Sequence, residues 1–357
     1  MGAESPPPLH LSPKFTTMAG DGQISKLASI LSMPWSLGRV FFVRPAADTG
    51  YAEWYRRVRM TYPGGVPNIY NTVAAAYAAM TSNNNDVCVL GGHGAHAVTA
   101  MLDVSKSRCH FIGWDAGLPL GLSGGREYGQ ASKIEMGVTT AATDIAAVQN
   151  TGVRNTFRNI KISSANTVDE GLYAFAEGGE YTLIENCEIY KSTDLNETGA
   201  AELLFNGDSS VVRNCTIGST VNAISGAILR PCVLMSRETI TGKVARDFTF
   251  EKCTFLRKCG DTGNRFVYGA NATDVERKGL FDRCLFWNAK LAAATPAQNV
   301  AFGASQTEGE VLLWGCMSQN AGTAMSTTTG VFVGGFDQGA DSTAEGAAQI
   351  GISIQAT

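Results

Sequence analysis

Charge is scarce in this chain. Asp, Glu, Lys and Arg make up 17% of its 357 residues, against roughly 25% in an average soluble domain, so neutral polar groups must dress most of the surface. The 28 basic and 32 acidic residues leave a formal charge of −4, and no Lys/Arg stripe stands ready to neutralise a phosphate backbone. Nucleic acid is therefore not an expected partner. No run reaches the ~18 apolar residues of a membrane span, which removes the membrane as well. The nine cysteines are odd in number and include no CxxC pair, which excludes a closed disulfide framework and a zinc ribbon. They read as buried, reduced thiols that pack as small hydrophobes. Pro6, Pro7 and Pro8 occupy the place where a signal peptide needs its apolar core, pointing to synthesis in a cytoplasm. Gly124-Gly125 and Gly178-Gly179 lack the strand-to-helix context of phosphate loops, and no cofactor is expected.

What is present is apolar material, 44% of the chain, distributed in four stretches. Residues 1–37, rich in Pro, Ser, Gly and Met, read as an extended arm. Residues 38–85 hold a strand at Val40–Val43, an aromatic segment and one helix. Ile69, Val73, Ala76, Tyr77 and Met80 share a face at helical spacing, predicting a helix over 69–80 that caps the core. Residues 86–320 repeat, and residues 321–357, rich in small side chains, read as a C-terminal cap or subunit contact.

The repeat carries the fold. Thr156-Phe-Arg-Asn-Ile-Lys-Ile162, Leu183-Ile-Glu-Asn-Cys-Glu-Ile189, Val211-Val-Arg-Asn-Cys-Thr-Ile217, Thr249-Phe-Glu-Lys-Cys-Thr-Phe255, Leu280-Phe-Asp-Arg-Cys-Leu-Phe286 and Leu312-Leu-Trp-Gly-Cys-Met-Ser318 share one pattern of apolar and polar positions, the last departing at Trp314 and Ser318. Their equivalent residues Ile160, Cys187, Cys215, Cys253, Cys284 and Cys316 lie 27, 28, 38, 31 and 32 residues apart. A period near 30 marks a solenoid, here an all-β, right-handed parallel β-helix. In each turn the residue before Asn points out, Asn makes a left-handed corner, and Cys points in. Asn159, Asn186 and Asn214 are expected to stack as a ladder of side-chain amides, with Cys187, Cys215, Cys253, Cys284 and Cys316 stacked beside them about 4.8 Å apart. Gly315 suits the same corner; Lys252 and Arg283 suit it less well.

The order of the strand Val40–Val43, the helix, Asp86-Val-Cys-Val-Leu-Gly-Gly-His93, Arg108-Cys-His-Phe-Ile-Gly113 and coils of the Ile-Glu-Asn-Cys-Glu-Ile type resembles the pectate-lyase-like β-helix proteins, and among them uncharacterised bacteriophage β-helix proteins. The resemblance spans about residues 38–335. It implies a virion structural protein, in particular a capsid decoration or head-surface protein, located on the virion surface and contacting the major capsid protein or other virion proteins. No catalytic motif of the lyases falls on this chain.

Two enzymatic patterns compete with that reading. Glu251 and Asp282 share the outward column on adjacent coils, near the ~5–5.5 Å that a retaining glycosidase uses. They would be the acid pair of a tailspike-type polysaccharide depolymerase, which predicts a surface glycan, an aromatic-lined groove beside them and a homo-oligomer such as a trimer. The same column alternates in sign through Arg158, Glu185, Arg213, Glu251 and Asp282, which equally reads as an ordinary ladder of solvated charges. His93, His96 and His110 form a second pattern, but no carboxylate or thiol at ligand spacing joins them, so no metal is expected. Trp35, Tyr51, Trp54, Tyr55 and Tyr62 are the aromatic residues expected to contact a partner.

Overall fold

The computed structural model describes residues 38–60, 68–92, 94–114, 132–137, 141, 143–165, 172–192, 199–221, 224, 229–237, 239–240, 242–259, 264–289, 299–302, 307–319, 325–334, 336–337 and 349–350. Strands of three to eight residues are laid side by side in three parallel walls of eleven, eight and seven strands. One turn runs Thr156–Arg158 in the first wall, Lys161–Ser164 in the second and Tyr173–Glu177 in the third; the chain then re-enters the first wall at Leu183–Glu185, paired in register with Thr156–Arg158. This is a parallel β-helix, right-handed as parallel crossovers are.

Side chains of equivalent residues stack along the axis because register is kept from coil to coil. On the inner side of the first wall Phe111 lies on Phe157 (centroids 5.2 Å apart, planes 2° apart), and Phe250 on Phe281 (4.8 Å, 7°). The second wall stacks Phe255 on Phe286 at 4.8 Å. Each of these fully buried rings removes a large apolar area from water, and truncating one to alanine should cost about 3–5 kcal/mol.

Between the first and second walls the chain turns through a single left-handed residue: Asn159, Asn186, Asn214, Lys252, Arg283 and Gly315 all have φ between 51° and 58°. The expected side-chain amide ladder is absent among the described residues. Main-chain amides make it instead: Asn159 N donates to Glu185 O, Asn186 N to Arg213 O, Asn214 N to Glu251 O, Lys252 N to Asp282 O and Arg283 N to Trp314 O, at 2.7–3.1 Å. The corner thus asks only for tolerance of positive φ, which explains how Lys252 and Arg283 occupy it. Inside the corner, Cys187, Cys215, Cys253, Cys284 and Cys316 are buried and unbridged. Each thiol lies 3.3–3.5 Å from a carbonyl of the preceding coil, such as Phe157 O for Cys187 and Val212 O for Cys253. Burial pushes the Cys187 and Cys253 thiols well above their usual range, so they stay protonated.

The N-terminal end differs from expectation in two ways. The stretch expected as one helix over 69–80 divides into a short strand, Asn68–Tyr70, paired with Val40–Val43, and helix α2, Val73–Ala79. Thr72 starts the helix by accepting a hydrogen bond from Ala75 N at its hydroxyl. Val73, Ala76, Tyr77 and Met80 close the core, whereas Ile69 packs on the opposite, outer side of the wall. The aromatic segment forms a second helix, α1, Tyr51–Met60 (preceding α2 in the chain), which lies on the outer face of the first wall. There Trp54 and Val58 cover Phe42, Val87, Val89 and Ile112. At the far end the stack runs past residue 320, since Val331–Gly334 adds one more parallel strand to the first wall. The arm over 1–37 lies outside the described residues.

Candidate functional site

The outer face of the first wall presents two columns that follow from strand alternation. Register aligns Arg158, Glu185, Arg213, Glu251, Asp282 and Trp314 in one. Glu185 is held between Arg158 and Arg213, the latter at 2.7 Å. Arg283, at the corner itself, reaches Asp282 Oδ2 at 2.5 Å and Glu251 Oε1 at 3.6 Å, while Lys252 Nζ lies 3.2 Å from Glu251. Glu251 and Asp282 are therefore brought onto adjacent strands, as an acid pair requires, but into contact with a shared cation, Arg283. A glycosidase needs its two carboxyls free to face the sugar, whereas these two are engaged by Arg283 and Lys252.

Alongside runs the second column: Leu183, Val211, Thr249, Leu280, Leu312 and Phe332, all half-buried. Over the last four coils it forms the floor of an open groove of about 680 Å³, with Asp247, Lys278 and Glu310 on one bank. Glu251 and Asp282 do not line this groove. Trp314, in register with Asp282, stands at its other edge with 45% of its surface exposed.

The third wall carries one exposed acid, Asp103, at the head of an otherwise uncharged outward column, in register with Gln149. From Asp103 the column continues through Gln149, Ala176, Leu204, Leu234, Tyr268 and Ala301, and Ile240 from the following loop packs onto it. The histidines do not converge: His96 points into the core beside Ile134, and His110 lies on the outer side of the first wall, where burial pushes its imidazole down to about 4. His93, Tyr62 and Trp35 lie outside the described residues. Among those residues no group of three His, Cys, Asp or Glu could hold a metal. Tyr51 and Tyr55 stack on α1 (5.9 Å) and remain half-exposed, whereas Trp54 turns to its own wall, under Arg44 and against Gly91.

Two buried polar networks had no signature in the sequence. At the corner from the third wall to the first, Glu177 is fully buried. Its carboxyl accepts from Asn150 Nδ2 at 2.9 and 3.1 Å and from Gly179 N at 2.8 Å. Burial nevertheless pushes it up to about 7, outweighing those bonds and the charge of Lys243. Asn155 continues the chain of amides, donating to Asn150 Oδ1 and to Lys106 O. Between the second and third walls, Arg230 pairs with Glu202 at 3.0 Å, and Arg257 donates to Asn264 and to Arg230 O. Burial, reinforced by Arg230, lowers Lys191 to about 7.

No protein-family model and no curated protein matches the chain. Solved structures do. Two pectin methylesterase complexes with hexasaccharides superpose with a TM-score of 0.50 at 10% identity, over 87% of this chain and 92% of theirs. A pectate lyase, Pel9A, superposes with a TM-score of 0.49 at 12% identity over 79% of this chain. The chain spans 63% of that lyase's length. At such identities the likeness is one of fold, that of the right-handed parallel β-helix.

Proposed function

We propose that this chain is a non-catalytic structural β-helix of a bacteriophage particle, a capsid decoration or head-surface protein attached through its N-terminal region. The observation that carries the non-catalytic part is the closed charge column: Arg283 bridges Glu251 and Asp282, and Lys252 adds a second cation. Charges that neutralise one another on a sheet surface hold a wall together weakly and leave no group poised for proton transfer. The resemblance of residues 38–335 to bacteriophage β-helix proteins supports the place in a virion. A rigid stack with its main chain paired from coil to coil suits a particle surface.

Particles carrying the chain, imaged by cryo-EM and weighed by mass spectrometry, test the reading. Many copies on the shell, lost when residues 1–37 are deleted, are expected. A few copies at a tail tip, or none on particles, would overturn it. Release of reducing ends from a polysaccharide by the wild type, lost in Asp282→Asn, would instead establish the depolymerase.

A further inference from the structure

One ionisable group of the first wall sits where an apolar one would pack better. Strand alternation and register set Val87, His110, Thr156, Leu183 and Val211 in one outward column, and His110 alone among them can take up a proton. Its side chain is buried, with 3% of the residue exposed, and neither Nδ1 nor Nε2 has a hydrogen-bond partner. Val87, in register with it, and Ile112, two residues further along its own strand, belong to the patch that Trp54 and Val58 of α1 cover. We infer that His110 makes α1 an acid-released latch: a proton on the imidazole drives the helix off the first wall and uncovers Phe42, Val89 and Ile112.

An imidazolium must place two N–H groups and a charge, and the docked wall offers them nothing. Asp86, on the neighbouring strand, accepts from Arg39 N, Arg39 Nη2, Thr81 N and Asn84 Nδ2 at 2.7–3.0 Å, so its four lone-pair positions are filled. Its charge favours the imidazolium, but less than burial opposes it. The other charged groups on the elements around His110 are Arg108 on its own strand, Arg158 on the next strand, held by Glu185, and the residues of α1, where Glu53 pairs with Arg57 and leaves Arg56 and Arg59. Their balance is cationic. The helix itself is weakly held: ten residues are too few to stay helical alone, and the described contacts with the wall are those of Trp54 and Val58 and the Arg44 guanidinium over the Trp54 ring. Such an element opens at a far lower cost than the stack beneath it. Docked, burial holds the imidazole down at about 4; undocked, it returns to the 6.5 of an exposed histidine. The latch is therefore at full strength above pH 6.5, weakens as pH falls toward 4 and levels off below it. Between pH 7 and pH 4 the open fraction should rise about a hundredfold.

Thiol labelling of the full chain tests this. Val58→Cys on the helix and Ile112→Cys on the wall, made separately, put a thiol on either side of the contact, and dithiodipyridine, which reacts in acid, reads its exposure against glutathione at the same pH. The nine native cysteines are buried, so release of α1 exposes the new thiol alone, whereas global unfolding exposes the native ones with it. The new thiol should label by itself, about a hundredfold faster at pH 4 than at pH 7, and the rise should vanish when His110→Leu or His110→Gln is added. A rise that persists in both variants overturns the inference by assigning the release to another group. Labelling of all thiols together overturns it by showing that acid unfolds the stack, and a rate indifferent to pH overturns it outright. None of these outcomes bears on the virion reading, which rests on the charge column and on particle composition.

Discussion

Glu177→Gln isolates the most consequential buried charge. The carboxyl is fully enclosed and pushed up to about 7, against the 4.5 of an exposed glutamate in the unfolded chain. The unfolded state therefore loses its proton first. Stability from this group is complete below about pH 4.5, falls as pH rises toward 7, and stays low above it. A shift of that size corresponds to about 3 kcal/mol between the two ends. Glutamine keeps the shape and an oxygen for Gly179 N, but its NH₂ faces Asn150 Nδ2, which now donates to both carboxyl oxygens. The variant should be less stable than wild type by about 1 kcal/mol at pH 4.5 from that opposed pair of donors, and more stable by about 2 kcal/mol at pH 8. Urea unfolding followed by circular dichroism over this range reads the difference directly, because every other titrating group cancels between the two proteins. Parallel pH profiles for wild type and variant would refute the assignment of a buried proton to Glu177.

Replacing Asn186, at φ 52°, with valine should cost about 1–2 kcal/mol in thermal unfolding, since a β-branched residue resists the left-handed corner. Lys252→Gly, at the same corner, should be neutral or slightly stabilising in the same assay. The nine cysteines are all buried, so Ellman's reagent should label none in the native protein and all after denaturation; fast labelling in buffer would contradict the enclosed thiol column. Gly279→Val should destabilise by several kcal/mol in urea, because even a Cβ there meets the Phe248 ring at 2.3 Å.

Much of the solenoid was legible in the sequence because one of its corners is made by a single residue. A one-residue corner keeps the same spacing between the outward carboxylate or arginine, the turn and the inward cysteine in every coil, so Glu185, Asn186 and Cys187 repeat as a visible motif. The corner that leads into the first wall is also left-handed, at Arg108, Arg154, Tyr181, Ser209, Asp247 and Arg277, yet no residue type marks it. Its positive φ is stabilised by amides such as Tyr181 N donating to Asp208 O on the next coil, a bond that exists only after stacking. Helix α1 went unread for a related reason. Its Tyr, Trp and Val residues have middling helix propensity, and the wall supplies the apolar surface that Trp54 and Val58 cover.

The candidate site divides the same way. That Arg158, Glu185, Arg213, Glu251 and Asp282 share a column was determined by the sequence, since strand alternation and a constant register dictate it. That Arg283 from the corner spans both carboxylates, and so binds them as structure, was decided by side-chain placement in the assembled wall. The groove and the proton on Glu177 belong wholly to tertiary structure. The groove floor comes from four coils 20 to 32 residues apart, and the pKa of Glu177 depends on how completely its neighbours exclude water. Local sequence determines which way a side chain points; only the packed stack determines what it meets there.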